Sequence, residues 1–315
     1  MYITKVLQGL GISLLLVVIM LLAKTYTPWG YYEGYLDYSL FELFVWTFCV
    51  THITIHMVTV YLHRTVTHRG VTLHPLVAHL FRFWNWLTTG MMVKEWVAIH
   101  RKHHAKVDTV DDPHTPIYYG LSSFSHVMKW VLAIGVLKYI KESHHQKTLD
   151  DFGHNTPDDW IERNVYSPHP YLGVGVLLGI VNVLLFGLPG LIIWGIQALW
   201  IPVLAAGVIN GFGHFFGYQN WNKEETAPDG NLRYPNVAHS TNIMPIGILI
   251  GGEELHNNHH ADPISPFFAR KWWEFDLGSV TIRLLCLLRL AKLRTGFVGR
   301  NKVETLYYKL FNMSA

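Results

Sequence analysis

"LFELFVWTFCVTHITIHMVTVYLHRTVTH", residues 40–68, begins as an almost uninterrupted apolar run and ends on two histidines. Residues 40–62 contain one acid, Glu42, near the start, and the run has about the 20-residue length a helix needs to cross a hydrocarbon core. His63 falls where such a span would leave the bilayer, and His68 follows five residues later. The stretch therefore predicts a transmembrane helix that delivers polar, metal-competent side chains to one membrane face.

Three further runs have the same character: 6–23, 171–188 and 189–209. The first is too long for a signal-peptide core, and "KTYTPWGYYEGYLDY" after it holds no small-residue cleavage site. Half of the residues are hydrophobic and 15% are charged, against about 25% in a typical soluble domain. If all four runs cross, the Lys and Arg of 1–5, 63–170 and 210–315 number 1, 12 and 11, and Lys24 alone lies on the other side. The basic side, with both termini, is expected to be cytoplasmic. A net charge of +3 gives no reason to expect nucleic acid as a partner. Cys49 and Cys286, one in a span and one on the cytoplasmic side, make no disulfide framework.

Between the spans, 76–93 reads as an interfacial or protein-buried helix, because it carries His79, Arg82 and Asn85. Helical pieces are expected over 122–145. "TPDDWIERN" (156–164) suggests a helix start with Thr156 as N-cap and Pro157 in first position. Residues 218–236 read as a loop. Residues 277–294 read as a basic, Leu-rich helix able to lie on the cytoplasmic leaflet or dock on the protein, after an anchor at Trp272–Trp273.

Histidines gather at the span ends. "HRKHH" places His100, His103 and His104 at i, i+3, i+4, and "HNNHH" repeats the spacing with His256, His259 and His260. "NGFGH" sets Asn210 and His214 one helical turn apart where the fourth run ends. All nine land on one side at one depth, which points to a shared centre. His52, His56, His74, His79, His114, His126, His144, His145, His154, His169 and His239 fit no such pattern and read as surface or hydrogen-bonded core residues, His56 and His114 being the nearest to the pattern. Imidazole suits Zn, Cu, Fe and Ni, and nine rings exceed what one four-coordinate zinc takes, so two metals sharing them is the economical reading. Asp108, Asp111 and Asp112 after the second cluster, and Glu253 and Glu254 before the third, are expected to accept ring N–H groups and fix the tautomers. An aliphatic C–H bond has no acid–base handle, so a redox-active iron pair beside a lipid bilayer implies an oxidant drawn from O2.

These boxes, "HRTVTH", "HRKHH", "NGFGH" and "HNNHH" with the tail "DDPH" (111–114), resemble the membrane fatty acyl desaturases, and most closely their stearoyl-CoA (Δ9) branch, over about 40–262. The resemblance implies an all-α integral membrane protein in which four transmembrane helices carry a cytosolic helical cap (63–170 and 210–315), one desaturase domain over 1–315. It implies two irons held by His63, His68, His100, His103, His104, His214, His256, His259 and His260, with Asn210 acting through a water. The implied reaction inserts a cis double bond into a long acyl chain while O2 is reduced to water, two electrons coming from the substrate and two from a separate donor. No heme, iron–sulfur, flavin or nicotinamide motif is present, so a ferredoxin, rubredoxin or cytochrome b5 with its reductase is the expected partner. In animal acyl-CoA enzymes an Arg-Asp pair commonly precedes the first HxxHH box; here the residues are Trp96-Val97-Ala98-Ile99. A phospholipid-bound chain therefore stands beside acyl-CoA as substrate, with acyl carrier protein behind both. The compact length resembles bacterial members and an inner-membrane location. An alkane or fatty-acid hydroxylase, or an alkene-forming decarboxylase, would use the same metal chemistry. A metal transporter or sensor would instead place its histidines near the midplane on broken helices.

Overall fold

The computed structural model describes residues 34–116, 123–222 and 236–294; the expected first span, 6–23, lies outside them. Among the described residues, two helices are long and apolar enough to cross a membrane, α1 (Leu40–Thr67) and α7 (Pro189–Phe212). The run at 171–188 forms the shorter apolar helix α6 (Leu172–Phe186). The remaining elements are α2 (Pro75–Thr89), α3 (Val93–Lys106), a helical stretch over 124–142 labelled α4, α5 (Gln146–Phe152), α8 (His256–Ala261) and α9 (Leu277–Leu287). Two short strand pairs complete the described fold: β1 (Val71–Leu73) antiparallel to β4 (Ala291–Leu293), and β2 (Ile246–Gly247) parallel to β3 (Phe275–Asp276).

The chain divides into two compact units, and three of the five boundaries between them fall inside α1, α2 and α7. The first comprises 1–54, 83–92 and 157–201. Its apolar helices carry an internal polar knot: Asn182 Nδ2 donates to Gln197 Oε1 at 2.9 Å, and Trp46 Nε1 donates to Asn182 Oδ1 at 3.4 Å. Such bonds between apolar helices fix which faces meet. Gly187 turns the chain at φ 63, and Gly190 lets α7 approach the Asn182 carbonyl so closely that a Cβ there would stand 2.2 Å from it. Leu43, Phe186 and Ile193 pack the core.

The second unit, 55–82, 93–156 and 202–315, contains every histidine of the four boxes. Two local expectations change here and beside it. The helix expected from Thr156 starts later, because Asp159 Oδ1 accepts the Glu162 N–H at 2.9 Å, whereas the Thr156 hydroxyl turns back to the Gly153 carbonyl at 3.1 Å. Residues 277–294 are not one helix. α9 stops at Leu287, Arg289 takes a left-handed φ of 60, and 291–293 pair with β1 instead.

Candidate metal centre

The HxxxxH box needs an unusual helix. In an α-helix, five residues turn through about 500°, leaving i and i+5 about 140° apart around the axis. α1 ends instead in a π-helical segment, Val58–Thr67, whose bonds run i to i−5: His68 N donates to the His63 carbonyl at 3.1 Å. Thr65 and Thr67 hydroxyls donate to the Val60 and Leu62 carbonyls, each at 2.7 Å, five residues back. The wider turn brings the His63 and His68 rings to 4.9 Å between centroids. π-helical turns recur at functional sites for this kind of reason.

Arg101, inside "HRKHH", closes the end of that segment. Its guanidinium donates to the Val66 and Thr67 carbonyls at 2.9 and 3.1 Å, and also to those of Phe152 and His154 at 3.0 and 2.6 Å. A cation at a helix C-terminus satisfies carbonyls that have no helical partner.

The nine box histidines come together in two groups. His63, His68, His100, His104 and His259 form one, His103, His214, His256 and His260 the other, and the candidate ligand atoms within each lie within 4.8 Å of one another. Each HxxHH helix thus divides its rings. Its i, i+4 pair enters one group and the remaining histidine enters the other, since adjacent positions on a helix point about 100° apart. His100 and His104 of α3 face each other at 3.0 Å between Nε2 atoms, and His256 and His260 of α8 at 3.1 Å. His259 crosses to the first group, 3.0 Å from His63 Nε2 and 2.9 Å from His104 Nε2. His103 crosses to the second, 3.2 Å from His260 Nε2. Asn210 is half-buried on the turn before His214.

Three of the five expected acids hold rings. Asp112 takes His103 Nδ1 at 2.9 and 3.0 Å, Asp108 takes His214 Nδ1 at 3.1 Å, and Glu253 takes His63 Nδ1 at 2.8 Å. Burial pushes the Asp108 and Asp112 carboxyls up, but His214 and His103 respectively, with the hydrogen bonds to them, bring both below the ordinary range. Asp108 sits at φ 56, a conformation Asp tolerates better than most residues. The other two acids do different work. Asp111 is exposed and bonds no imidazole among the described residues. Glu254 points at backbone, accepting from Ile250 N at 2.7 Å and Gly252 N at 3.1 Å. The fourth ring support was not readable as an acid at all, being the Asn236 carbonyl, 2.8 Å from His260 Nδ1.

A carbonyl only accepts, so His260 Nδ1 carries the proton and its Nε2 presents a lone pair. Burial, and then His103, push His260 well below the ordinary imidazole value, so the ring is neutral. His68, His100, His104, His256 and His259 are likewise pushed well down, by burial first and neighbouring imidazoles second. Neutral rings with Nε2 atoms converging this tightly set lone pair against lone pair unless a cation lies among them, and His68 Nε2 is a buried nitrogen with no hydrogen-bond partner. The donor sets therefore fit two imidazole-bound metal ions. Aromatic walls shield them: Trp96 stacks on His100 at 5.0 Å and Phe268 lies 4.7 Å from His259. His114, buried beside His103 at 5.4 Å and held near a pKa of about 3 chiefly by burial, stays outside both groups.

The asparagines of "HNNHH", which its spacing left without a role, hold α8 in place. Asn258 Nδ2 donates to the Phe268 carbonyl at 2.9 Å and Glu274 Oε2 at 2.8 Å, while its oxygen accepts from Asn220 at 2.8 Å and Asn242 at 3.1 Å. Asn257 similarly binds Trp221 and Ser240. Two asparagines flanked by histidines and buried with them are the sequence signal for such a network. Asn258→Ala is expected to strand several buried partners at about 1–3 kcal/mol each, read as an earlier thermal inactivation midpoint.

Comparison with known proteins agrees with this geometry. A family model described as fatty acid desaturase matches residues 41–291. The chain is 29% identical over 236 residues to an sn-1 stearoyl-lipid 9-desaturase of Synechocystis sp., covering 75% of this chain and 66% of that protein. It is 31% identical to an acyl-CoA 5-desaturase of Anemone leveillei, covering 73% and 64%, and 28% identical to an sn-1 stearoyl-lipid 9-desaturase of Anabaena variabilis, covering 74% and 76%. The first two alignments thus span just under two thirds of those relatives. With a family match running from α1 to β4 through all four histidine boxes, the chain belongs to the fatty acid desaturase family.

Proposed function

We propose that this protein is an O2-dependent acyl desaturase that places a cis double bond at Δ9 of a long acyl chain. The observation that carries the reading is the convergence of nine imidazoles into two adjoining groups with three of the rings held by carboxylates. The first iron is assigned to His63, His68, His100, His104 and His259. The second is assigned to His103, His214, His256 and His260, with Asn210 acting through a water. Irons bound there supply oxidising power from O2 against an unactivated C–H bond. Two hydrogen atoms, that is two protons and two electrons, leave the acyl chain, two further electrons and two protons come from outside, and one O2 becomes two waters. A ferredoxin, rubredoxin or cytochrome b5 with its reductase supplies the external electrons.

The chain's own residues do the remaining work. Asp108, Asp112, Glu253 and the Asn236 carbonyl hold four rings in one tautomer with Nε2 turned inward. Trp96 and Phe268 keep water from the rings they cover. Asp112→Asn is expected to cut metal affinity about 10–100-fold, read as iron retained per chain across a chelator series.

We read the chain as one desaturase domain over 1–315, a reading supported over 41–291 by a family match that includes residues of both compact units. We read the chain as a four-span membrane protein with the histidine groups and both termini on the cytoplasmic side, by the lysine and arginine count. Two acyl carriers remain in view. Val97, Ala98 and Ile99 are buried and, with Trp96, present no cation to a CoA headgroup, which favours a phospholipid-bound chain. The deciding experiment expresses the protein with fed acyl chains beside a His100→Ala control and maps new double bonds by mass spectrometry, lipid class by lipid class. A Δ9 olefin absent from the control is expected. An alcohol or a terminal alkene, with no internal double bond, overturns the reading.

A further inference from the structure

Helix α9 is covered on one face only. Gly278, Ser279, Ile282 and Cys286 are buried, while Val280, Leu284 and Leu287, at i, i+4 and i+7, form an exposed aliphatic row. Exposed cations follow at once: Arg289, Lys292 and Arg294. Isolated exposed leucines need no explanation, but an ordered row ending in positive charge does.

The depth of this row follows from its neighbour. α9 packs against Val58–Thr67, the final segment of the 28-residue helix α1. At 1.5 Å per residue the α-helical part of α1, Leu40–Met57, is about 27 Å long, close to the thickness of about 30 Å of hydrocarbon, so the π-helical turns that follow emerge at headgroup level. The β1–β4 pairing, with the His74 N–H donating to the Leu290 carbonyl at 2.7 Å, ties the start of α2 to the same place, where Leu76 and Leu80 are also exposed.

We propose that the Val280–Leu284–Leu287 face, with Arg289, Lys292 and Arg294, docks on a lipid leaflet carrying anionic headgroups. The aliphatic row enters the boundary between acyl chains and headgroups, and the cations meet phosphates. Docking there seats the unit that carries both histidine groups against the source of its acyl chains. The inference rests on α1 crossing the membrane.

The test uses the full chain, with Cys49→Ser to remove the exposed native thiol and Leu284→Cys to carry an environment-sensitive fluorophore; Cys286 is buried. The protein is reconstituted into phosphatidylcholine vesicles, with or without phosphatidylglycerol, each with and without a nitroxide near the head of the acyl chain. The label at 284 is expected to shift to the blue and lose most of its emission to the nitroxide. Phosphatidylglycerol deepens that loss, and the joint variant Arg289→Gln, Lys292→Gln, Arg294→Gln removes the deepening. A label indifferent to the nitroxide overturns the docking face, and quenching indifferent to phosphatidylglycerol overturns its anionic partner. Alkaline extraction of the same vesicles separates the two levels. A chain stripped from them overturns the spanning of α1 and the docking face with it, whereas a retained chain with an unquenched label overturns the docking face alone.

Discussion

Alanine at His259 is expected to abolish product formation and to leave the protein unable to hold a full complement of iron. The ring is fully buried and its Nε2 stands 3.0 Å from that of His63 and 2.9 Å from that of His104, which makes it the middle member of the five-ring group. No other described side chain can replace it. Outside that group its ring neighbours are Phe268, which offers no lone pair, and His256 and His260, which belong to the second group. Losing a direct ligand should cost more than the roughly 10–100-fold typical of changes to a ligand's supporting partners. Iron per chain after anaerobic loading, measured beside the Asp112→Asn protein, checks this. Retention of wild-type iron and activity in His259→Ala would remove that residue from the ligand set.

Methionine at Arg64 is expected to be the most destabilising single change away from the histidines. Arg64 and Asp276 form an ion pair with side chains 0% and 1% exposed, at 3.0 Å. The guanidinium also donates to the Pro266 and Gly251 carbonyls at 2.9 and 3.1 Å and lies 3.8 Å over the Phe268 ring. Asp276 accepts from the Phe268 and Ser279 backbone N–H groups at 2.7 and 3.0 Å. Removing one partner of a buried pair leaves an uncompensated charge, which costs about 3–5 kcal/mol. The same cluster touches the metal centre, because the Thr59 hydroxyl accepts from Arg64 Nε at 3.2 Å and donates to Glu253, the acid that holds His63. Arg64→Met should therefore lower both the unfolding midpoint and the iron affinity, and Asp276→Asn should lower the first more than the second.

The pair also sets a pH dependence. Burial alone would raise the Asp276 carboxyl, but Arg64 and the hydrogen bonds around it hold the value below the ordinary range. A carboxyl depressed in the folded state contributes stability that is complete above its unfolded value, about 3.9, and is lost as pH falls through the lower folded value. Acid inactivation of the wild-type chain should carry this component, and the Asp276→Asn chain should lack it.

Much of the centre was legible from spacing, because helical periodicity is local. HxxHH on a helix puts three rings near one face whatever surrounds it, and the co-location of four boxes followed from counting apolar residues between them. Three of the five acids were legible as carboxylates beside a box, but only Asp112 holds a ring of its own box; Asp108 and Glu253 hold His214 and His63, which are remote in the chain. Asp111 and Glu254 looked equivalent to them in the chain, and the turn geometry alone sent one to solvent and the other to backbone N–H groups. The Thr156 cap failed against a competitor three residues on, Asp159, whose carboxylate reached an N–H first.

What the sequence by itself determined is the inventory: apolar helices of membrane length, nine histidines in four boxes, and a family. What the tertiary structure decided is the partition. It gave His100 and His104 to one group and His103 to the other, made 58–67 a π-helix so that His63 and His68 converge, and recruited Arg64, Arg101, Asn257, Asn258 and the Asn236 carbonyl as supports. The physical reason is range. Which residues share a helix face depends on a turn or two of chain, whereas which ring nitrogens meet depends on contacts such as His63 with His259 and His103 with His260, formed across 196 and 157 residues. No local pattern encodes distances of that kind.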